Sequence, residues 1–357
     1  MKKNVLKIAS IVLAGSFALT ACNNEKDDPK PSGKYSDATF VVCEGNFKAN
    51  EGSIDAIVDG EVQKDIFQTE NGRPLGDVVQ SMTIIDDQAF IVVNNSGKVE
   101  AVNKFTFKSE GTCTGLSYPR YVVNRNENEI FVSNGSGDGN DYVYVVNKLS
   151  MQKTDSVATG LGPNTMVVSN GKLFVANSGG WGTDKTVTVI DTKTLKFEKT
   201  ITVGDNPYDM EVDEQGNVIV LCKGLTNYNY DNEGNYIGSE VVSNTAIYTI
   251  NATSLEATAT KEFDHQFASY GGNLLACNGN TVYFIDDAVY SMTNNGEPTK
   301  LIEGTDFYGI SVNAKTGEIW VAQNPYGASH SVSQYSANGT LVKTYKVSNQ
   351  PNAVVFD

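Results

Sequence analysis

The chain has 357 residues, 40 % hydrophobic and 19 % charged, with a formal net charge of −15. That charge, with no basic cluster to offset it, argues against a nucleic-acid partner, which needs a basic face. No apolar run reaches the roughly 20 residues of a membrane-spanning helix.

The first 21 residues read as a signal peptide. Lys2 and Lys3 supply the positive start, and the apolar run from Ile8 to Leu19 is too short to span a bilayer. Leu19-Thr20-Ala21-Cys22 fits the bacterial lipoprotein cleavage box, which makes Cys22 the lipidated N-terminus. A lipid chain anchors a protein to a membrane without spanning it. Residues 22–34 are polar and contain Pro29 and Pro31, so they read as a disordered tether. Within them Lys26-Asp27-Asp28 resembles the acidic surface-export signal of Bacteroidetes lipoproteins, which would place the domain outside the cell.

Residues 35–357 read as one domain of repeats. From Pro163 to Pro207 there are four short β-rich runs separated by Gly, Asn, Asp and Thr turns. The pattern restarts at Pro207-Tyr208, and a four-stranded unit of 40–45 residues is the signature of a β-propeller blade. Aligned unit starts fall at Gln80, Arg120, Asn164, Tyr208, a degenerate site near Gly271, Tyr308 and Asn352. Seven starts predict an all-β, seven-bladed propeller. The long step after Tyr208 holds an insertion from Tyr228 to Ser243. Only one strand follows Asn352, and three runs precede Gln80: Thr39 to Cys43, Ile54 to Val58, and Val62 to Phe67. The C-terminal strand is therefore expected innermost beside the N-terminal strands, closing the ring and removing free sheet edges. Helical periodicity is essentially absent.

Signals for chemistry are sparse. The two histidines, His265 and His330, lie in different units without zinc-ligand spacing. Ser136-Gly137-Asp138-Gly139-Asn140-Asp141 reads as a strand-connecting turn; it lacks the twelfth-position Glu of a calcium loop. No phosphate-binding or nucleophile-elbow motif occurs. Cys43, Cys113, Cys222 and Cys277 fall in separate units and are expected unbridged. The expectation is a binding protein rather than an enzyme, with no catalytic residues, metal or cofactor. For an enzyme, the acids to consider are Asp209 beside Tyr208, and Asp286 with Asp287.

Topology places the loop leading into each inner strand on the same face as the loop between strands two and three. The lead-in loops contribute Gln80, Ser81, Arg120, Tyr121, Asn164, Thr165, Tyr208, Asp209, Tyr308 and Asn352. The second-to-third loops contribute Asn46, Phe47, Asn94, Asn95, Asn134, Asn177, Trp181, Gln323, Asn324 and Tyr326, with Tyr228, Asn229, Tyr230 and Tyr236 in the insertion. Asn is also a common turn former. The opposite face carries simple turns such as Ser169-Asn170-Gly171. Aromatics beside primary amides suit a large flat ligand with neutral polar groups. The expected contacts are Asn46, Phe47, Gln80, Asn94, Asn95, Arg120, Tyr121, Asn134, Asn164, Asn177, Trp181, Tyr208, Tyr308, Gln323 and Tyr326.

Five stretches and the closing strand carry a family resemblance. They are Glu44-Gly45-Asn46-Phe47, Gly76 to Met82, Ile91 to Ser96, Pro119-Arg120-Tyr121 and Phe307-Tyr308-Gly309-Ile310, with Asn338-Gly339-Thr340-Leu341 near the end. Together they resemble the YncE-like seven-bladed surface lipoproteins of Bacteroidetes, and within these the BtuG-type cobalamin-binding proteins. The resemblance implies an outer-membrane, lipid-anchored receptor that captures vitamin B12 or other corrinoids. It would pass them, without catalysis, to a TonB-dependent transporter. Capture of a siderophore, haem or glycan, or a propeller lyase or hydrolase activity, are the alternatives.

Overall fold

A computed structural model describes residues 32–268, 271–293 and 296–357. The signal peptide, Cys22 and most of the tether lie outside them. Among the described residues no helix is long and apolar enough to cross a membrane.

Seven four-stranded antiparallel sheets form the ring. Their inner strands are Val79–Ile85, Pro119–Asn124, Pro163–Ser169, Pro207–Val212, Leu275–Asn278, Phe307–Val312 and Pro351–Val355. We number the blades 1 to 7 in that order. Proline suits the first position of four of these strands, where no ladder donor is lost. Blades 1 to 6 each take four consecutive strands, except that blade 4 carries a separate two-stranded hairpin, Leu225–Tyr230 with Tyr236–Ser243. Blade 7 is composite: Pro351–Val355 pairs with Thr39–Cys43, followed outward by Ser53–Val58 and Glu61–Gln63. The ring thus closes as the sequence predicts.

Two expectations are corrected. The run from Val62 to Phe67 is not one strand. Its strand ends at Gln63, and Ile66–Asn71 forms a helix with Ile66 and Phe67 buried. Asp65, with φ 43°, turns the chain and its side chain accepts from the Gln68 amide; a local cap outweighs the β-like pattern in so short a segment. The second correction concerns blade 5. Its inner strand starts late, and the position near Gly271 is filled two residues on by Asn273, whose backbone bonds Ile310 and Asn352. Gly271 instead lies against Tyr308, where a Cβ would come within 2.2 Å of the phenol oxygen.

The core consists of the apolar faces where neighbouring blades meet. Blade 5 has the shortest inner strand, and aromatic stacking supplements it. Phe284 is buried, stacked on Phe267 at 5.4 Å and on Tyr290 at 5.6 Å, with Phe263 edge-on at 5.6 Å. Phe284→Ala is expected to cost about 3–5 kcal/mol by leaving a cavity beneath three rings. Urea unfolding checks this; a midpoint equal to wild type would contradict it.

Candidate functional site

The second residue of each inner strand, or its equivalent, forms a ring at one mouth of the channel: Gln80, Arg120, Asn164, Tyr208, Asn273, Tyr308 and Asn352. Much of their polar capacity ties blade to blade. The Asn164 amide donates to the Tyr208 carbonyl at 2.7 Å, and Asn352 donates to the Gln80 carbonyl at 2.9 Å. Ser81 Oγ and Thr165 Oγ1 do the same to the carbonyls of Arg120 and Tyr208. One carboxyl oxygen of Asp209 accepts from the Leu274 and Leu275 amides, and the other accepts from Met210. Asp209 therefore fastens blade 4 to blade 5, and burial raises its pKa to about 6.

Arg120 is held in place: its Nε donates to Asn164 Oδ1 at 2.9 Å and its Nη1 to Gln80 Oε1 at 2.6 Å. Its guanidinium lies 5.6 Å from the centre of the Tyr118 ring. Opposite, Glu44 accepts from Tyr308 Oη and Asn352 Nδ2, both at 2.9 Å. Burial raises the pKa of Glu44 and pushes Tyr308 up as well.

Above this floor is a cavity of about 660 Å³, lined among others by Glu44, Phe47, Gln80, Tyr118, Arg120 and Trp181. A second hollow of about 210 Å³ shares Tyr118, Arg120, Trp181 and Tyr208 and runs toward Asp184, Asp205 and Leu225. The loop carrying Trp181 bends inward because Gly180, with φ +59°, sits against Ser136, where a Cβ would come within 2.0 Å of the carbonyl oxygen. The Trp181 amide donates to the Ser136 carbonyl, and its ring stands 6.2 Å from Tyr118. Trp181 itself is 82 % exposed.

Of the residues singled out by sequence, the structure brings Phe47, Gln80, Asn94, Asn95, Arg120, Trp181, Tyr208 and Tyr308 to the larger cavity. Asn164 stands behind Arg120. Tyr121 points into the channel, its hydroxyl 3.4 Å from Asn273 Oδ1. Asn46 lies on the rim, bonded to Glu51 and Gln350. The others serve their own blades. Asn134 accepts from the Tyr118 amide and donates to Ser117 Oγ. Asn177 is buried and donates to Thr186 and Thr188. Gln323 accepts from Ser331 and Ser333, and Tyr326 is fully exposed outside the cavity lining. Asn94 also spends its amide on the Pro119 carbonyl.

Sequence reasoning missed Glu44 and Tyr118, which both line the larger cavity. Tyr118 precedes the proline used to align the units, and Glu44 sits in a quoted stretch but looked like one acid among 42.

The acids singled out for an enzyme are engaged. Asp286 meets His265 Nε2 at 2.8 Å, and Asp287 accepts from Tyr290 and Lys300. His265 lies on the loop leading into blade 5, where the sequence did not place it, and its other nitrogen meets Asp264. Asp141, in the calcium-like turn, accepts from the Gly137, Gly139 and Gly162 amides. Among the described residues no group of three or more His, Cys, Asp or Glu side chains could hold a metal ion.

A family model described as Domain of unknown function (DUF5074) matches residues 37–357. No curated protein matches by sequence. A quinonprotein alcohol dehydrogenase-like protein from Bacteroides thetaiotaomicron is similar at 16 % identity and TM-score 0.67, over 90 % of this chain and 78 % of that one. The periplasmic gluconolactonase PpgL of Pseudomonas aeruginosa is similar at 13 % identity and TM-score 0.64, over 89 % of this chain and 98 % of that one. A functionally unknown protein from Desulfotomaculum acetoxidans is similar at 13 % identity and TM-score 0.63, over 90 % and 99 %. At these identities the likeness is one of fold and does not bear on ligand or chemistry.

Proposed function

We propose that the chain, which belongs to the DUF5074 family, is a capture protein that binds a bulky, polar-fringed ligand of the corrinoid class at the mouth of its propeller, without catalysis. The observation that carries this reading is the distribution of exposed aromatic side chains. Among the described residues Phe47, Trp181, Tyr228, Tyr230, Tyr236 and Tyr326 are exposed and lie on second-to-third connections of the one mouth; the exposed Phe197, at the start of an outer strand, is the exception. Exposed aromatics gathered on one face mark a binding surface. The larger cavity has the rings of Phe47 and Trp181 at its edge and Gln80, Asn94 and Asn95 in its lining, each of these amides also making one bond within the protein, to Arg120, the Pro119 carbonyl and Asp77 respectively. A flat macrocycle fringed with amides matches that chemistry. The family resemblance in the sequence points the same way.

The test is calorimetric titration of the purified protein with cyanocobalamin, with a ferric siderophore as control. Saturation at one equivalent by cyanocobalamin alone is the expected result; no heat and no co-elution on gel filtration would sink the corrinoid reading. Trp181→Ala is expected to weaken binding about ten-fold or more, as loss of an aromatic contact that the bound ligand covers does. Its exposed side chain leaves the melting temperature unchanged.

In the cell the protein would be anchored through a lipid on Cys22 at the outer membrane, facing outward. It would deliver its ligand to a TonB-dependent transporter. Metabolic labelling with a palmitate analogue should mark the wild type and not Cys22→Ser; equal labelling of both would remove the anchor.

A further inference from the structure

The mouth brings two cations, Arg120 and Lys223, to one tyrosine, Tyr208. Arg120 is the sole cation of the ring at the second inner-strand position. Its bonded nitrogens go to the amide oxygens of Asn164 and Gln80. Lys223 follows the second strand of blade 4. Its backbone amide bonds the lead-in carbonyl of Asn206, an interaction that Glu44, Asn94, Gly135, Ser178, Ile285 and Asn324 make in the other blades. Lys223 is the one cation among these seven. Its ammonium rests 4.4 Å from the centre of the Tyr208 ring. The Tyr208 hydroxyl in turn faces the Arg120 guanidinium, so one phenol links the two charges.

Neither cation forms an ion pair among the described residues. The nearby acids hydrogen-bond to other groups and make no ion pair with either cation. Asp184 accepts from the amides of Leu161 and Lys185 and from Thr186 Oγ1. Asp205 accepts from Ser243 Oγ. Glu44 is held by Tyr308 and Asn352; burial raises its pKa, and the charge of Arg120 works against that rise. Burial, reinforced by the nearby guanidinium, lowers the pKa of Lys223 to about 8. Two like charges brought together without a partner destabilise the free protein unless an anion sits with them.

We infer that Arg120, Tyr208 and Lys223 form an anion subsite, which takes a phosphate, phosphodiester or carboxylate group of the bound ligand against the wall between blades 2 and 4. Arg120 offers its unbonded nitrogen, Tyr208 its hydroxyl and Lys223 its ammonium. This goes beyond the capture reading: the aromatic rim and wall amides select shape and neutral polar groups, and the cation pair selects a charged substituent.

Calorimetry with phenyl phosphate, benzoate and the neutral benzyl alcohol tests it. Both anions are expected to bind and benzyl alcohol not, with affinity falling as salt rises. Lys223→Gln should weaken phenyl phosphate about ten-fold, and Lys223→Arg should restore it. Arg120→Gln should weaken it similarly. Circular dichroism melts report whether each variant is folded, and the arginine replacement retains the charge should the glutamine variant not fold. Equal binding of phenyl phosphate and benzyl alcohol, no binding of either anion, or an unchanged affinity in Lys223→Gln would overturn the subsite. Cyanocobalamin binding alongside any of those results would leave the capture reading intact. Anion binding without cyanocobalamin binding would do the reverse.

Discussion

A chain ending at Gln350 is expected not to form a stable ring. Pro351–Val355 is the inner strand of blade 7, paired to Thr39–Cys43 through Phe40 with Val355, Val41 with Val354 and Val42 with Ala353. Its removal strips the hydrogen-bonded edge from a strand whose residues Phe40 to Cys43 are buried. It also deletes Asn352, which reaches Glu44 and the Gln80 carbonyl. The Val354 amide bonded to Ser311 of blade 6 is lost with it. Each loss alone costs about 1–3 kcal/mol, and together they compare with the whole stability of a typical domain, about 5–15 kcal/mol. The opened edge is also a template for pairing with other chains. Gel filtration and circular dichroism should show aggregated or unfolded truncated protein, and a peptide covering residues 349–357 should restore a cooperative melt. A folded, monomeric truncation melting like wild type would mean that the closing strand contributes little.

The second large effect lies in the channel. Glu211 stands on the inner strand of blade 4, half-buried, two residues from the Asp209 carboxyl. Burial, reinforced by Asp209, raises its pKa from 4.5 to about 8. The folded state therefore holds a proton that the unfolded chain releases near pH 4.5. Its contribution to stability is fully present below that pH and is lost as pH rises to about 8. Glu211→Gln keeps the size and neutral character of the side chain and removes the ionisation. Urea denaturation from pH 5 to 9 should show wild type losing about 2–4 kcal/mol relative to the variant. A smaller slope should persist in the variant below pH 6, because Asp209, raised to about 6, titrates in the same direction. Parallel profiles for the two proteins would mean that Glu211 is ionised and solvated in the fold.

Much of the architecture was legible because the repeat is written in local chemistry. Proline or an equivalent starts most inner strands, turn residues recur at fixed spacing, and the hydrophobic alternation has period two. Where that punctuation lapses, the reading slipped. Blade 5 has no proline at its start, so Asn273 was placed at Gly271; the capping carboxylate of Asp65 hid a short helix inside a β-like run. The site was legible only as a face. The amides of Asn134 and Asn177 have the same residue type and loop position as those at the cavity, yet they hold their own blades together. Nothing in spacing separates a binding amide from a structural one.

The sequence by itself determined the number of blades, the closure of the ring by its last strand, and which loops share a face. These follow from strand alternation and chain order, which are local. Only the tertiary structure decided which side chains meet. Tyr208 and Lys223 are brought together by one strand pair of blade 4, but Arg120 comes from blade 2, and its approach to them depends on how far each blade turns about the ring axis. That angle is set by the packed faces between blades and by glycines such as Gly180 that let one loop settle on another. The same geometry half-buries Glu211 and leaves the two cations without an ion pair among the described residues, so the charge pattern of the mouth is a property of the closed ring.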